Sequence, residues 1–440
     1  VWKDNILQSL VNNAQVGIEV IPEVERIIGK QPSVTELSGS EAQNRFNLLF
    51  SKFIRVFTTK EHPLVIFLDD LQWADSASLN LMKLLISEVE SGYLLMIGAY
   101  RDNEVFPAHP LMLTIDELNK LQTTIKTIIL EALSNTDVNN LIADTLSCEA
   151  EFAKPLTELV YQKTKGNPFF TTQFLVALYR EGLIRFHHPE SNFSETENQW
   201  GWECDLPGIQ QLAVTDDVVE FMALQLQKLP SETQKILKLA ACVGNQFDLA
   251  TLAVVSEQSQ NDTAKALWRA LQEGLVLPQT EVYKFFQSIP DTSYSMADIQ
   301  SPHYKFLHDR VQQAAYSLIA EDSKQATHLK IGLLLLNNTE EVEREEKIFA
   351  IVNQINIGVN LIDEPQQKVE LAELNLIAST KAKNATAYSA AQGYLQIGIN
   401  LLPPQSWKNQ YNLTLSLYNI AAEVAYLNSN YLVMEEYIDT

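Results

Sequence analysis

Asp69 and Asp70 stand side by side at the end of an apolar run, PLVIFLDDLQWAD, over residues 63–75. The five residues from Leu64 to Leu68 have the character of a central parallel strand covered on both faces. Such a strand delivers its carboxyl end to the edge where open α/β sheets bind ligands. Two carboxylates held there can take Mg²⁺ through hard oxygen atoms and orient a water, as nucleotide hydrolysis requires. A plainer use of the pair is to cap the turn that follows. The loop that grips phosphate in such sites, G-x-x-x-x-G-K-[ST], does not occur in the 440 residues. The chain thus holds the hydrolysis half of an NTPase site. The first residue is Val1 and a helical pattern is still running at Thr440, so the sequence reads as a piece of a longer polypeptide, with the phosphate loop expected upstream.

The elements that would position these acids follow from local patterns. Ser40 precedes EAQNRFNLLFSKFIRVF, an N-cap before an amphipathic helix with Phe46, Leu49, Phe50, Phe53, Ile54 and Phe57 on one face. After the acids, Asp75 reads as the cap of helix SASLNLMKLLISEVE. YLLMIGAYR (93–101) is a second buried strand ending at Arg101, and TIKTIIL (124–130) a third. Strand alternating with helix predicts a parallel α/β sheet. From residue 132 the pattern turns helical, with a stop at Gly166-Asn167-Pro168 and short strands IRFHH and QWGWEC that could pair as a hairpin. Residues 186–208 form the least ordered-looking stretch. Helices near 215–228, 231–243, 248–256 and 261–273, with strands 274–278 and 303–306, predict a winged-helix-like unit with a two-stranded wing. From 321 onwards helices with recurring Ala and Tyr suggest TPR-like hairpins. The expected organisation is 1–131, an α/β part that ends the strand–helix alternation; 132–211, helical with a polar hairpin insertion; 212–320, winged-helix-like; and 321–440, helical repeats. The fold class is mainly α with an α/β part.

Composition excludes several classes. Apolar residues make up 46% of the chain, ample for packed cores. No run of 18 apolar residues predicts a membrane span, and the N-terminus lacks a signal-peptide pattern. Cys148, Cys204 and Cys242 lie far apart with no C-x-x-C, which points to a reducing, cytoplasmic setting rather than to disulfides or zinc. A formal charge of −23 argues against a general nucleic-acid surface. Histidines 62, 109, 187, 188, 303 and 328 make no ligand spacing.

Four segments in order, PLVIFLDDLQWADSASL, LLMIGAYRDNEV, KTKGNPFF and FLHDRVQQAAYSLI, resemble the STAND-type NTPases (signal-transduction ATPases with numerous domains). They are most similar to the ATPase module of bacterial, especially cyanobacterial, multi-sensor signalling kinases. The resemblance implies that Asp69 is the first acid of a Walker B motif, the Mg²⁺ partner, and Asp70 the second, which polarises the attacking water. It implies that Arg101 occupies the sensor 1 position and reads the γ-phosphate, a role suited to a planar guanidinium that stays charged. Pro168 matches the proline of a lid motif that packs on adenine, and His308, in Leu307-His308-Asp309, matches a histidine that contacts the β-phosphate of ADP. The plainer uses are an Arg101 ion pair with Asp102 or Glu104, a helix stop at Pro168, and a capping or core His308. The resemblance further implies ATP or ADP with Mg²⁺ as cofactors, Ser/Thr kinase-like and histidine kinase domains on the same polypeptide, and self-association. In the strand order 5-1-4-3-2 of that division, the strand expected upstream would sit between 93–101 and 124–130, leaving those two without a shared neighbour.

The sequence therefore points to a regulatory nucleotide switch tied to kinase output, with hydrolysis by the fragment alone not expected. One alternative is a nucleotide-independent protein-binding scaffold. Another is a DNA-binding regulator, for which the candidate helix NDTAKALWRALQEG offers only Lys265 and Arg269 as basic residues.

Overall fold

The computed structural model describes residues 2–10, 13–21, 23–34, 39–87, 93–105, 109–121, 123–187, 201–211, 217–279, 301–385 and 387–440. The chain divides into two compact units, residues 1–127 with 339–440, and residues 128–338. The described residues are mainly helical, with small sheets.

The first unit opens with α1 (Trp2–Leu10), α2 (Ala14–Val20), α3 (Val24–Ile28) and α4 (Gly39–Phe57). Ile6, Leu10, Val24, Ile28 and Leu49 form their shared core, with Phe46, Phe53 and Phe57 packed against it. Phe46, Phe50, Phe53 and Phe57 make successive ring contacts down α4, as spacings of three and four residues on one helix face dictate. The helix already begins at Gly39, so Ser40 lies inside it rather than at its N-cap.

β1 (Leu64–Leu68), α5 (Ser76–Ser87), β2 (Leu94–Gly98) and α6 (Pro110–Lys120) follow. The strands pair in parallel, Leu64 opposite Leu94 through Leu68 opposite Gly98. As expected, Asp75 caps α5, its Oδ1 accepting from the Ser78 N–H at 2.7 Å. Leu68 and Met96 turn to one side and pack with Leu71, Leu79, Met82, Leu111 and Leu118 of the loop and the two helices. The other side corrects the expectation of a strand covered on both faces: Val65, Phe67, Leu95 and Ile97 are 43–59% exposed. An all-apolar run anticipates two covering layers, and among the described residues only one is supplied.

The third strand expected at 124–130 is also absent. Residues 123–134 carry no strand assignment, and Ile128, Ile129 and Leu130 are 75–90% exposed. A β-forming composition becomes a strand only when a neighbour takes up its backbone groups. TIKTIIL has no such neighbour among the described residues.

The second unit contains α7 (Asn135–Leu146), α8 (Ala150–Thr164), α9 (Pro168–Arg180), β3 (Ile184–His187), β4 (Gly201–Cys204), α10 (Leu206–Gln211), α11 (Val218–Gln227), α12 (Ser231–Val243), β5 (Gln246–Asp248), α13 (Leu249–Ser256), α14 (Gln260–Gln272), β6 (Val276–Pro278), β7 (His303–Phe306), α15 (Asp309–Ser317) and α16 (Glu321–Asn337). A capping box of Ser134 and Asp137 starts α7. β3 and β4 pair antiparallel; their connection, with His188, lies outside the described residues. The expected two-stranded wing is a three-stranded antiparallel sheet in the order β5-β7-β6. β5 is three residues long, too short to leave a periodic signal. The expected loop of Gln, Ser, Pro and Asp falls at 280–300, outside the described residues. One core runs through this unit from Val138 to Ile331.

The chain returns to the first unit as α17 (Glu341–Ile357), α18 (Pro365–Asn384), α19 (Tyr388–Asn400), α20 (Ser406–Asn409), α21 (Tyr411–Leu427) and α22 (Tyr431–Asp439). These are helical repeats packed through small residues: Ala372, Ala378, Ala391, Ala421 and Ala425 are all nearly inaccessible. Asn356 and the fully buried Asn375 exchange side-chain hydrogen bonds of 2.9 and 3.1 Å, which fixes the register of α17 against α18.

Candidate functional site

Where β1 ends, the chain turns sharply through Asp70, whose backbone is left-handed at φ 54°, ψ 40°. Aspartate tolerates this region better than most residues because its short side chain bonds locally. The turn is fixed from both sides. Ala99 N–H donates to Leu68 O at 2.8 Å and Leu71 N–H to Ala99 O at 3.0 Å, extending the strand ladder past the assigned ends. Leu71 lies directly over Gly98, where an added Cβ would come within 2.5 Å of its Cδ1.

This turn gathers the polar groups. Asp69 Oδ1 accepts from the Asp70 N–H at 3.0 Å. The Arg101 guanidinium lies 3.6 Å from Asp70 Oδ1 and 3.3 Å from Glu104 Oε1. It also sits over the Trp73 ring, 5.3 Å from the centroid, while the indole N–H donates to Glu104 Oε2 at 3.1 Å. Between the acid and the arginine lies Gln72, 5% exposed. Its Nε2 donates to Asp70 Oδ1 at 2.9 Å and its Oε1 accepts from the Arg101 N–H at 3.2 Å. The structure thus brings Asp69, Asp70 and Arg101 together at the carboxyl edge of the sheet. The plainer use of Arg101, an ion pair with Glu104, is present, and its head is shared with Asp70.

Mg²⁺ in nucleotide sites is held by one or two carboxylates plus substrate phosphates and water, not by an all-protein cage. Asp69 and Asp70 are the right donors for that role. Among the described residues no group of three or more His, Cys, Asp or Glu side chains could hold a metal alone. The cysteines offer no activated nucleophile, because burial raises the thiols of Cys148 and Cys204 and pushes Cys242 up to about 11.

Pro168 and His308 lie in the second unit. Lys165 and Gly166 both adopt positive φ, 52° and 76°, which turns the chain out of α8. Asn167 then caps α9, its side chain accepting from the Phe170 N–H at 2.8 Å, and Pro168 occupies the first turn, exposed. His308 caps α15, its Nδ1 accepting from the Arg310 N–H at 3.1 Å, and it touches the Asp309 carboxylate. Phe169 stacks on the His308 ring, centroids 4.3 Å apart and planes 22° from parallel. The lid motif and the Leu-His-Asp motif therefore meet through Phe169. Both plainer uses, the helix stop and the cap, are present here.

Sequence reasoning missed Gln72, Glu104 and Phe169. Gln72 and Phe169 lie inside motifs already singled out, next but one to Asp70 and next to Pro168. Glu104 entered only as a partner for Arg101.

Comparison with known proteins places these observations. The AAA ATPase domain family matches residues 2–97. Hybrid signal transduction histidine kinase G of Dictyostelium discoideum is 30% identical over 95% of this chain and 15% of its own length. Peroxide stress-activated histidine kinase mak3 of Schizosaccharomyces pombe is 22% identical over 83% of this chain and 14% of its own length. The chain thus spans only a small part of these relatives, and both are eukaryotic, so the likeness is not confined to bacteria. A solved STAND protein with a tetratricopeptide repeat sensor, from Pyrococcus horikoshii, is 12% identical with a TM-score of 0.39, covering all of this chain and 63% of that one. Residues 2–97 thus resemble AAA ATPase domains, and nearly the whole chain resembles a segment of signal-transduction histidine kinases.

Proposed function

We propose that the chain is the regulatory ATP/ADP switch of a large signalling kinase. The observation that carries this reading is the cluster of Asp69, Asp70 and Arg101 at the carboxyl edge of two parallel strands. In this reading residues 1–131 are the C-terminal part of the nucleotide domain, 132–211 its helical lid, 212–320 a winged-helix-like domain and 321–440 TPR-like repeats. Asp69 would hold Mg²⁺, which when bound would supply charge neutralisation at the phosphates. Asp70 orients the attacking water and accepts its proton. Arg101 leaves Glu104 to read the γ-phosphate, Pro168 offers adenine a flat apolar surface, and His308 contacts the β-phosphate of ADP.

A switch needs differential contacts in its two states. His308 on ADP favours a closed form and Arg101 on the γ-phosphate an open one, which self-associates and biases kinase domains on the same polypeptide. No helix among the described residues is long and apolar enough to cross a membrane, and we place the module in the cytoplasm. The second reading is a nucleotide-independent scaffold, favoured by the repeats and by the engagement of Arg101 with two acids.

The test is Asp70→Asn in the full-length kinase that carries the chain. ATP hydrolysis falls by about 100-fold or more, the usual loss on removing a general base, while ADP affinity is kept. Unchanged turnover, or no nucleotide binding by the full-length protein, rejects the switch in favour of the scaffold.

A further inference from the structure

Gln72 is a polar side chain in a buried position, and both ends of its carboxamide are used. The donor end holds the Asp70 carboxylate at 2.9 Å and the acceptor end holds the Arg101 backbone N–H at 3.2 Å. Asp70 follows β1 and Arg101 follows β2, so one planar group spans the exits of two adjacent strands. Asp70 needs such a tie because its left-handed backbone is a sparsely populated state that persists only where surroundings over-determine it. Without that donor the carboxylate would be free to close further on the Arg101 guanidinium, its ion-pair partner at 3.6 Å, which also pairs with Glu104. The groups facing Asp70 are thus Asp69 beside it, Gln72 from the same turn and Arg101 from the β2 exit.

We propose that Gln72 is a positioning residue for the hydrolytic reaction: its carboxamide keeps the Asp70 carboxylate aimed against the pull of its ion-pair partner Arg101, and locks the β1 exit to the β2 exit. Gln72 touches neither nucleotide nor water in this role. It acts through Asp70, and so rests on the switch reading for its catalytic consequence but not for its bond.

Two measurements separate these. The first is a stability cycle on the 440-residue chain. Gln72→Glu puts a carboxylate against Asp70 and lowers Tm. The double variant Asp70→Asn with Gln72→Glu restores the bond with donor and acceptor exchanged, and recovers most of the loss. Strictly additive Tm losses overturn the bond. The second is turnover in the full-length kinase. Gln72→Leu lowers kcat for ATP by about 10- to 100-fold, the range for losing a hydrogen bond to a charged group, with KM for ATP within about twofold because binding and transition-state terms separate this way. A kcat equal to wild type overturns the positioning role. Gln72→Glu, which keeps the side-chain size and the acceptor for Arg101, is measured alongside and must also lower kcat, so a Gln72→Leu protein that fails to fold does not shield the proposal. If Asp70→Asn itself leaves turnover unchanged, the switch reading falls while the stability cycle still decides the bond.

Discussion

His308 makes two structural contacts with one ring. Its Nδ1 caps α15 while its ring stacks on Phe169, and its side chain remains 42% exposed. A cap is worth about 1 kcal/mol, and an aromatic stack about 0.5–1.5 kcal/mol beyond its buried area. His308→Asn keeps a capping oxygen and loses the stack; His308→Ala loses both. Denaturant unfolding should therefore rank the chains wild type, then Asn, then Ala, with about 2 kcal/mol between the extremes. Stopped-flow release of fluorescent ADP from the full-length kinase then separates the roles. Release that speeds up in both variants supports a phosphate contact, and unchanged release with the same stability ranking leaves His308 a cap alone. The paired acids were legible because five apolar strand residues point straight at them. Gln72 was not, because a single glutamine in a turn has no period, and only the fold reveals that its two ends meet different strands. Arg101 was legible as a strand-end cation, but not its sharing between Glu104 and Asp70.

At the scale of elements, the stop at Gly166-Asn167-Pro168 was legible while its necessity was not. Asn167 and Pro168 announce a cap and a first-turn proline. The demand for glycine comes from Leu133, 33 residues earlier, whose N–H donates to Gly166 O at 2.9 Å. A Cβ at Gly166 would lie 2.0 Å from the Leu133 carbonyl oxygen, on a backbone held at φ 76°. Gly166→Ala should therefore cost at least the roughly 1–3 kcal/mol of a strained backbone, read as a lower denaturation midpoint. Gly393→Ala is the control: it lies within α19 with nothing inside 4 Å of an added Cβ. It should raise stability by about 0.5–1 kcal/mol through helix propensity. Equal effects of the two changes would remove the close approach from the explanation. The same limit applied to strands. LVIFL and LLMIG read as a parallel pair and are one. TIKTIIL reads as a strand and is not, since local composition reports a preference and pairing needs a partner.

The whole molecule was legible in class but not in partition. Mainly helical content, a partial parallel sheet and terminal repeats follow from period and punctuation. The grouping of residues 339–440 with 1–127 depends on contacts between distant segments, which no local pattern records. Net charge, by contrast, is a property of the whole that sequence gives directly, and it bears on the DNA-binding alternative. The chain carries 55 acidic against 32 basic residues. The two cations of the candidate recognition helix, α14, are turned to acids of their own neighbourhood: Lys265 lies 3.7 Å from Asp262, and Arg269 lies 2.6 Å from Glu273. A phosphate contact there would have to displace a carboxylate, in a field that repels the duplex as a whole. Non-specific DNA binding rests on cations that release counterions, so its strength falls steeply as salt rises. The chain should therefore show no retention on duplex DNA at about 50 mM salt, where such binding is strongest, and none at about 200 mM. A complex present at the lower concentration and lost at the higher would mean that a basic surface forms in spite of the overall charge. It would also favour the DNA-binding alternative over the switch proposed above.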